Sequence, residues 1–135
     1  MSYKIDEIEG IGPTYREKLS AAKIKTTDDL LDQCGTPTGR KQVAELTGCG
    51  DKQLLEWANM ADLMRIKGVG PEYAELLEAS GVDTVKELKH RRPRSLATTM
   101  AELNQDKKLT RQVPSQAVVA GWIEQSQSLD PCISH

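Results

Sequence analysis

Apolar positions recur along this chain at helical spacing, in short runs broken by glycine and proline. Tyr3 to Glu9 reads as a brief helix or an extended lead-in, with Ile5 and Ile8 on one side. From Pro13, the residues Tyr15, Leu19 and Ala22 share a face and predict a helix through Ala22. Lys23-Ile24-Lys25 connects. Thr26 or Thr27 then caps a helix whose first turn, Asp28-Asp29, suits the positive end of the dipole. Cys34 to Thr36 breaks that helix, and Pro37 opens another through Leu46. Thr47-Gly48-Cys49-Gly50 turns the chain. Asp51 is placed to cap the next helix, with Leu54, Leu55, Ala58, Ala61 and Met64 on its apolar face.

The second half repeats this order. A helix over Pro71 to Ser80 ends at Gly81. Thr84 caps Val85 to His90, and Pro93 starts a helix through Leu103. Asn104 to Pro114 forms a loop, and Ser115 leads the last helix, carrying Val118, Val119, Trp122 and Ile123. Ser128 to His135 reads as a loose tail. No segment alternates with a period of two, so the pattern predicts an all-α protein of about eight to nine short helices and no sheet.

The repetition extends to single residues. Ile8-Glu9-Gly10-Ile11-Gly12-Pro13-Thr14-Tyr15 recurs as Ile66-Lys67-Gly68-Val69-Gly70-Pro71-Glu72-Tyr73, an offset of 58. The same offset pairs Leu19 with Leu77, Ile24 with Val82, Thr26 with Thr84 and Leu30 with Leu88. One offset held through stretches of different charge marks a duplicated unit. Val43-Ala44-Glu45-Leu46 resembles Met100-Ala101-Glu102-Leu103, and Trp57 matches Trp122. The glycine turn at Gly48 has no second copy; the loop replaces it.

At each Gly-x-Gly-Pro elbow a glycine permits a tight reversal, and proline suits the first position of the helix that follows. The amides there point outward at the positive end of a helix, a site sized for one phosphate. The competing reading is that the glycines only let two helices pack closely. The basic run Lys86, Lys89, His90, Arg91, Arg92, Arg94 is the sharpest charge feature. It either holds phosphates or complements a helix C-terminus. Lys107, Lys108 and Arg111 are available to extend it. Glu72, Glu75 and Glu78 follow the second elbow on one helix face and oppose an anion, as Glu7 and Glu9 do at the first. The aromatics Tyr15, Tyr73, Trp57 and Trp122 sit on apolar faces and read as core.

Composition narrows the picture. The 135 residues carry a net charge of −2, against a strongly basic nucleic-acid protein. Residues 1–64 hold 8 Lys and Arg against 11 Asp and Glu; residues 65–135 hold 10 against 9. Any attraction to phosphate is therefore local. The absence of Phe leaves an aliphatic core. Cys34, Cys49 and Cys132 show no metal or disulfide spacing and fit a reducing, cytoplasmic setting. His90 and His135 complete no zinc site. No run approaches membrane-spanning length. No nucleophile–base arrangement indicates an enzyme, and Gly-Ile-Gly-Pro lacks the third glycine and the preceding strand of a nucleotide fingerprint.

The Ile8-to-Leu30 stretch resembles the helix-hairpin-helix elements of DNA polymerases, Holliday-junction-binding and repair proteins. Ile5 to Leu129 is similar to an uncharacterised family of bacterial tandem helix-hairpin-helix proteins. The likeness runs through Ile8-Glu9-Gly10-Ile11-Gly12, Gly39-Arg40-Lys41, Trp57-Ala58-Asn59, Asp62 to Gly68, Gly81 to Leu88, Pro114-Ser115 and Trp122-Ile123. The resemblance implies a tandem duplicated helix-hairpin-helix (SAM-like) module. Residues 1–64 form the first pair, 65–129 a divergent second pair packed on it, and 130–135 a flexible tail. It implies binding to DNA or RNA backbone without base reading. Gly10, Gly12, Thr14, Gly48, Gly50, Gly68 and Gly70 would face phosphates, and Arg16, Lys18, Arg40, Lys41, Arg65 and Lys67 would add charge. Lys89, Arg91, Arg92 and Arg94 form a secondary patch. The class also contains hairpins that only bind proteins, and hairpins that hold a monovalent cation on turn carbonyls. No other cofactor is expected. A protein-interaction adaptor is the alternative function, and oligomeric state is left open.

Overall fold

Hydrogen bonding follows the glycine and proline punctuation closely. The structure, a computed structural model, describes residues 2–135. A single 3-10 turn (Ile5–Glu7) precedes eight α-helices: α1 (Pro13–Ala21), α2 (Thr27–Cys34), α3 (Pro37–Thr47), α4 (Asp51–Leu63), α5 (Pro71–Ala79), α6 (Val85–Leu88), α7 (Pro93–Lys107) and α8 (Gln116–Gln127). Among the described residues there is no sheet, only an isolated bridge between Lys4 and Thr26. The all-α expectation holds.

Local chemistry sets most boundaries. Thr26 Oγ1 accepts the Asp29 N–H at 3.1 Å, while Asp29 Oδ2 accepts the Thr26 N–H at 3.1 Å, a reciprocal cap on α2. The Lys25 N–H also donates to Asp29 and, as the largest cause, holds its carboxyl below the usual range. Thr36, Thr84 and Ser115 cap α3, α6 and α8 with their hydroxyls. Gly50, not Asp51, occupies the cap of α4, and Asp51 is its first residue. Helix α7 continues to Lys107 rather than stopping at Leu103. Lys108 then turns left-handed, with its N–H on the Asn104 carbonyl. The Asn104 amide clasps the backbone of Thr110 through two bonds of 3.0 Å, which closes the loop.

The 58-residue repeat is visible bond by bond. The Ile11 N–H donates to Ile8 O at 3.1 Å, and the Val69 N–H to Ile66 O at 3.0 Å. Gly10 (φ +94°) and Gly68 (φ +97°) stand at the third position of these turns, the one that takes glycine. Helix α1 ends with Ile24 N–H on Leu19 O and Lys23 N–H on Ser20 O. Helix α5 ends with Val82 N–H on Leu77 O and Gly81 N–H on Glu78 O. Both are Schellman ends with a buried contact across the turn, Leu19 to Ile24 and Leu77 to Val82.

Helix α4 is the spine. Every residue from Trp57 to Met64 is buried, because α2 and α3 cover one side and α5 packs beyond. At its end, the buried Asp62 carboxylate accepts the Val85 N–H at 2.8 Å and the Arg65 guanidinium at 2.7 Å. It thereby ties α4 to the start of α6. Removing one partner would leave a buried charge uncompensated.

The tail is not loose. Ile133 is buried, the Ser134 N–H donates to Gly35 O at 2.8 Å, and Arg40 donates to Ser134 O at 2.8 Å and Cys34 O at 3.0 Å. The reason is apolar: Ile133 adds to the core at the α2–α3 corner, and buried Arg40 needs carbonyl acceptors there.

The two Schellman ends differ at one position. Lys23 takes φ +64° where the second half has Gly81 at +91°. A left-handed lysine costs about 1–2 kcal/mol, and glycine returns about 0.4–1 kcal/mol of that through the unfolded chain. Lys23→Gly is therefore expected to stabilise by about 0.5–1 kcal/mol. Gly81→Ala is expected to destabilise, with Arg91 Nη1 at an ordinary 3.6 Å from the new Cβ. Urea denaturation of both variants measures the pair.

Candidate functional site

Each elbow is built against an indole. A Cβ on Gly10 would lie 3.6 Å from Trp57 Nε1, and one on Gly68 3.2 Å from Trp122 Nε1. Tyr15 packs edge-on to Trp57 with ring centroids 5.1 Å apart, and Tyr73 tilts over Trp122 at 5.3 Å. Both indoles are buried, and both tyrosines half-buried. The aromatics thus fill the core under the turns, as their periodicity indicates.

The amides above them are open. Gly10, Gly12, Thr14 and Gly68 are exposed, and Gly70 is half-buried. The N–H groups of Gly12 and Thr14, like those of Gly70 and Glu72, donate to no acceptor among the described residues. The third turn differs: the Gly48 N–H closes α3 on Ala44 O, and the Cys49 N–H donates to Thr47 Oγ1. Gly48 offers no amide to a ligand, because the left-handed helix end uses it. Gly50 is exposed as the cap of α4.

The two proline-started elbows are neighbours. Glu9 of the first joins Gly68, Gly70, Pro71, Glu72 and Tyr73 of the second around a shallow cavity of about 480 Å³. Burial pushes the Glu75 carboxyl up, and the charges of Glu9, Glu78 and Glu72 push it further. Burial likewise raises Glu78, with Glu56 and Asp83 adding to it. The shared cleft is therefore acidic.

The expected cations are mostly engaged elsewhere. Arg16 pairs with Asp6 at 3.1 Å, and Lys18 stands over the Tyr15 ring with its Nζ 5.7 Å from the centroid. Arg65 is held by Asp62, and Arg40 is buried on carbonyls. Lys41 and Lys67 are exposed. The Lys67 backbone is gripped by the Gln125 amide through bonds of 2.9 and 3.1 Å. Lys89 and Arg91 are half-buried, and Lys86, Arg92 and Arg94 exposed. They gather where α6 meets α7, away from ion-pair partners among the described residues.

Sequence reasoning placed the elbows but not their adjacency, so the share of Glu9 in the second one went unseen. The Asp62–Arg65 pair had a signal, an acid three residues before a base in a helix end. Gln125 had none. Of the cysteines, Cys34 and Cys49 are buried, and burial pushes the Cys34 thiol up to about 11, which keeps it protonated.

These features define an all-helical protein in which one elbow and helix-end bonding pattern recurs at an offset of 58 residues. Residues 9–129 match the family described as Domain of unknown function (DUF4332), and the chain belongs to that family. No curated protein and no solved structure matches it. No described helix is long and apolar enough to cross a membrane.

Two outcomes follow from the elbow geometry. Gly68→Ala is expected to cost about 1–3 kcal/mol, and more than Gly10→Ala, because its Cβ meets the indole more closely. Chemical denaturation of both variants checks the order. A carboxyl raised in the folded state holds its proton to higher pH than in the unfolded chain. The folded state then binds more protons just above the ordinary carboxylate range, and stability falls as pH rises through that window. Glu75→Gln is expected to raise the thermal midpoint at neutral pH, with the gain closing as pH falls below that range. A gain that does not change with pH would contradict the repulsion.

Proposed function

We propose that this chain is a helix-hairpin-helix-type interaction module whose inter-elbow cleft receives a basic surface of a protein partner. The observation that carries this reading is the meeting of Glu9 and Glu72 on one cleft, with Glu75 behind them. A helix start attracts an anion by about 0.3–1 kcal/mol. A carboxylate some 4 Å from a phosphate repels it by about 1 kcal/mol in water and about 4 kcal/mol near a protein surface. With two carboxylates on the rim, and Arg16 and Arg65 tied to Asp6 and Asp62, repulsion of this kind opposes the attraction of the helix start. The same cleft attracts lysine and arginine. Three free cysteines accord with a reducing compartment, and the reading places the protein in the cytoplasm and assigns it no reaction.

A second reading, phosphate binding by the elbow amides themselves, is favoured by the lack of internal acceptors for Gly12, Thr14 and Gly70. One variant separates the two. Glu9→Gln with Glu72→Gln is expected to lose partners cross-linked to the wild-type chain in cell extract and recovered in proportion to bait. Under the second reading, the same variant gains affinity for duplex DNA at the elbows. Retention of the partners, or wild-type bait that recovers none, would count against the adaptor.

A further inference from the structure

We infer that the corner between α6 and α7 is a separate polyanion surface that binds nucleic-acid backbone through Lys89, Arg92 and Arg94. Between Lys86 and Arg94 the chain places Lys86, Lys89, Arg91, Arg92 and Arg94 against the single carboxylate Glu87. None of the five forms an ion pair among the described residues, whose two pairs both lie elsewhere. Of their guanidiniums, only that of Arg91 reaches a protein acceptor, Ser80 O at 3.5 Å.

The corner is also held in place by bonds to its backbone, which leave the charges of Lys89, Arg92 and Arg94 free. The Gln127 amide donates to Lys89 O at 3.1 Å, and the Arg91 N–H to Leu88 O at 3.1 Å. Little backbone ordering is then needed when a ligand arrives. Gln125 and Gln127 bring Lys67 and Lys89 to the same end of α8, so the cationic track continues past the corner. The start of α7 lies within it. Arg92 caps that helix with no side-chain bond, whereas Thr36 fills the equivalent place on α3.

The occupant follows from the chemistry. Arginine forks match phosphate oxygens two at a time, and a run of separate cations along a track suits a polymer of regularly spaced charges. An acidic peptide offers fewer charges per length and is the rival occupant. Of the elbow residues only Lys67 borders this surface, and the elbow amides have no part in it.

The test uses the full chain and two labelled duplexes of unrelated sequence, read by fluorescence anisotropy over a salt series. Wild type is expected to bind both alike, with affinity falling steeply as salt rises. Lys89→Glu with Arg92→Glu and Arg94→Glu is expected to cut affinity at low salt by about tenfold or more. It should also flatten the log–log salt slope by about 3, since each phosphate contact contributes about 0.9. Lys18→Glu with Lys41→Glu and Lys52→Glu makes the same change of net charge in the first half, and is expected to cost far less. The glutamine triple at the corner, expected to lose affinity in part, covers the case of a charge-reversed chain that does not fold. The inference is overturned by absence of binding, by equal losses in the two charge-reversed triples, or by oligoglutamate displacing DNA at equal charge concentration. None of these outcomes bears on the inter-elbow cleft, whose test is the glutamine pair at Glu9 and Glu72.

Discussion

The contact on which the rest of this structure depends is a glycine at positive φ facing the nitrogen edge of an indole. It occurs at Gly10 with Trp57 and again at Gly68 with Trp122. A side chain at either glycine would strain the turn, and at Gly68 it would also crowd the ring. The turn fixes where Pro13 and Pro71 begin their helices, and the indole fixes how closely α4 and α8 approach them. Tyr15 and Tyr73 then complete two aromatic couples in a chain without phenylalanine. The two halves are alike because this unit is alike, down to the carbonyls that accept the Ile24 and Val82 amides.

What differs between the halves is where charge is spent. Asp62 takes the Val85 amide and holds Arg65, so a cation next to the second elbow becomes an internal strut. Arg40 does the same at the other end, exchanging a surface role for the carbonyls of Cys34 and Ser134. Carboxylates remain on the elbow cleft, and unpaired cations remain at α6–α7. Net charge of −2 says nothing of this separation. Local bonding decides it, since a cation held by a buried acceptor is withdrawn from any ligand at the surface.

Helix order and most boundaries were legible in the chain. Pro13, Pro37, Pro71 and Pro93 each open a helix, and Thr26, Thr84 and Ser115 each cap one. These are short-range effects, carried by a residue and its neighbours within one turn. The reach of α7 to Lys107 was not legible, because it depends on an Asn104–Thr110 clasp that no periodicity reports. Nor was the docked tail, since a lone Ile133 among polar residues reads as loose until Arg40 and Gly35 are seen beside it. The candidate site was half legible. The glycine elbows were evident, but Glu9 belongs to the cleft only because the two elbows adjoin, a long-range fact. The basic run was evident as composition, and its freedom from partners was not.

The second half gathers its cations between Lys86 and Arg94, whereas those of the first half are spread along the chain. In the first half the chain passes from α3 to α4 through Gly48, Cys49 and Gly50, and α4 is then buried from Trp57 to its end. In the second half Asn104 to Pro114 takes a longer path, held by the Tyr73 hydroxyl on Gln112 O, and α8 packs mainly on α7 with α6 beside it. The far end of α8 is partly exposed and carries Gln125 and Gln127 beside buried Ser126. Those amides satisfy the backbone of Lys67 and Lys89 and leave both ammonium groups free. The longer loop thus goes with a helix end whose glutamines support the backbones of two lysines.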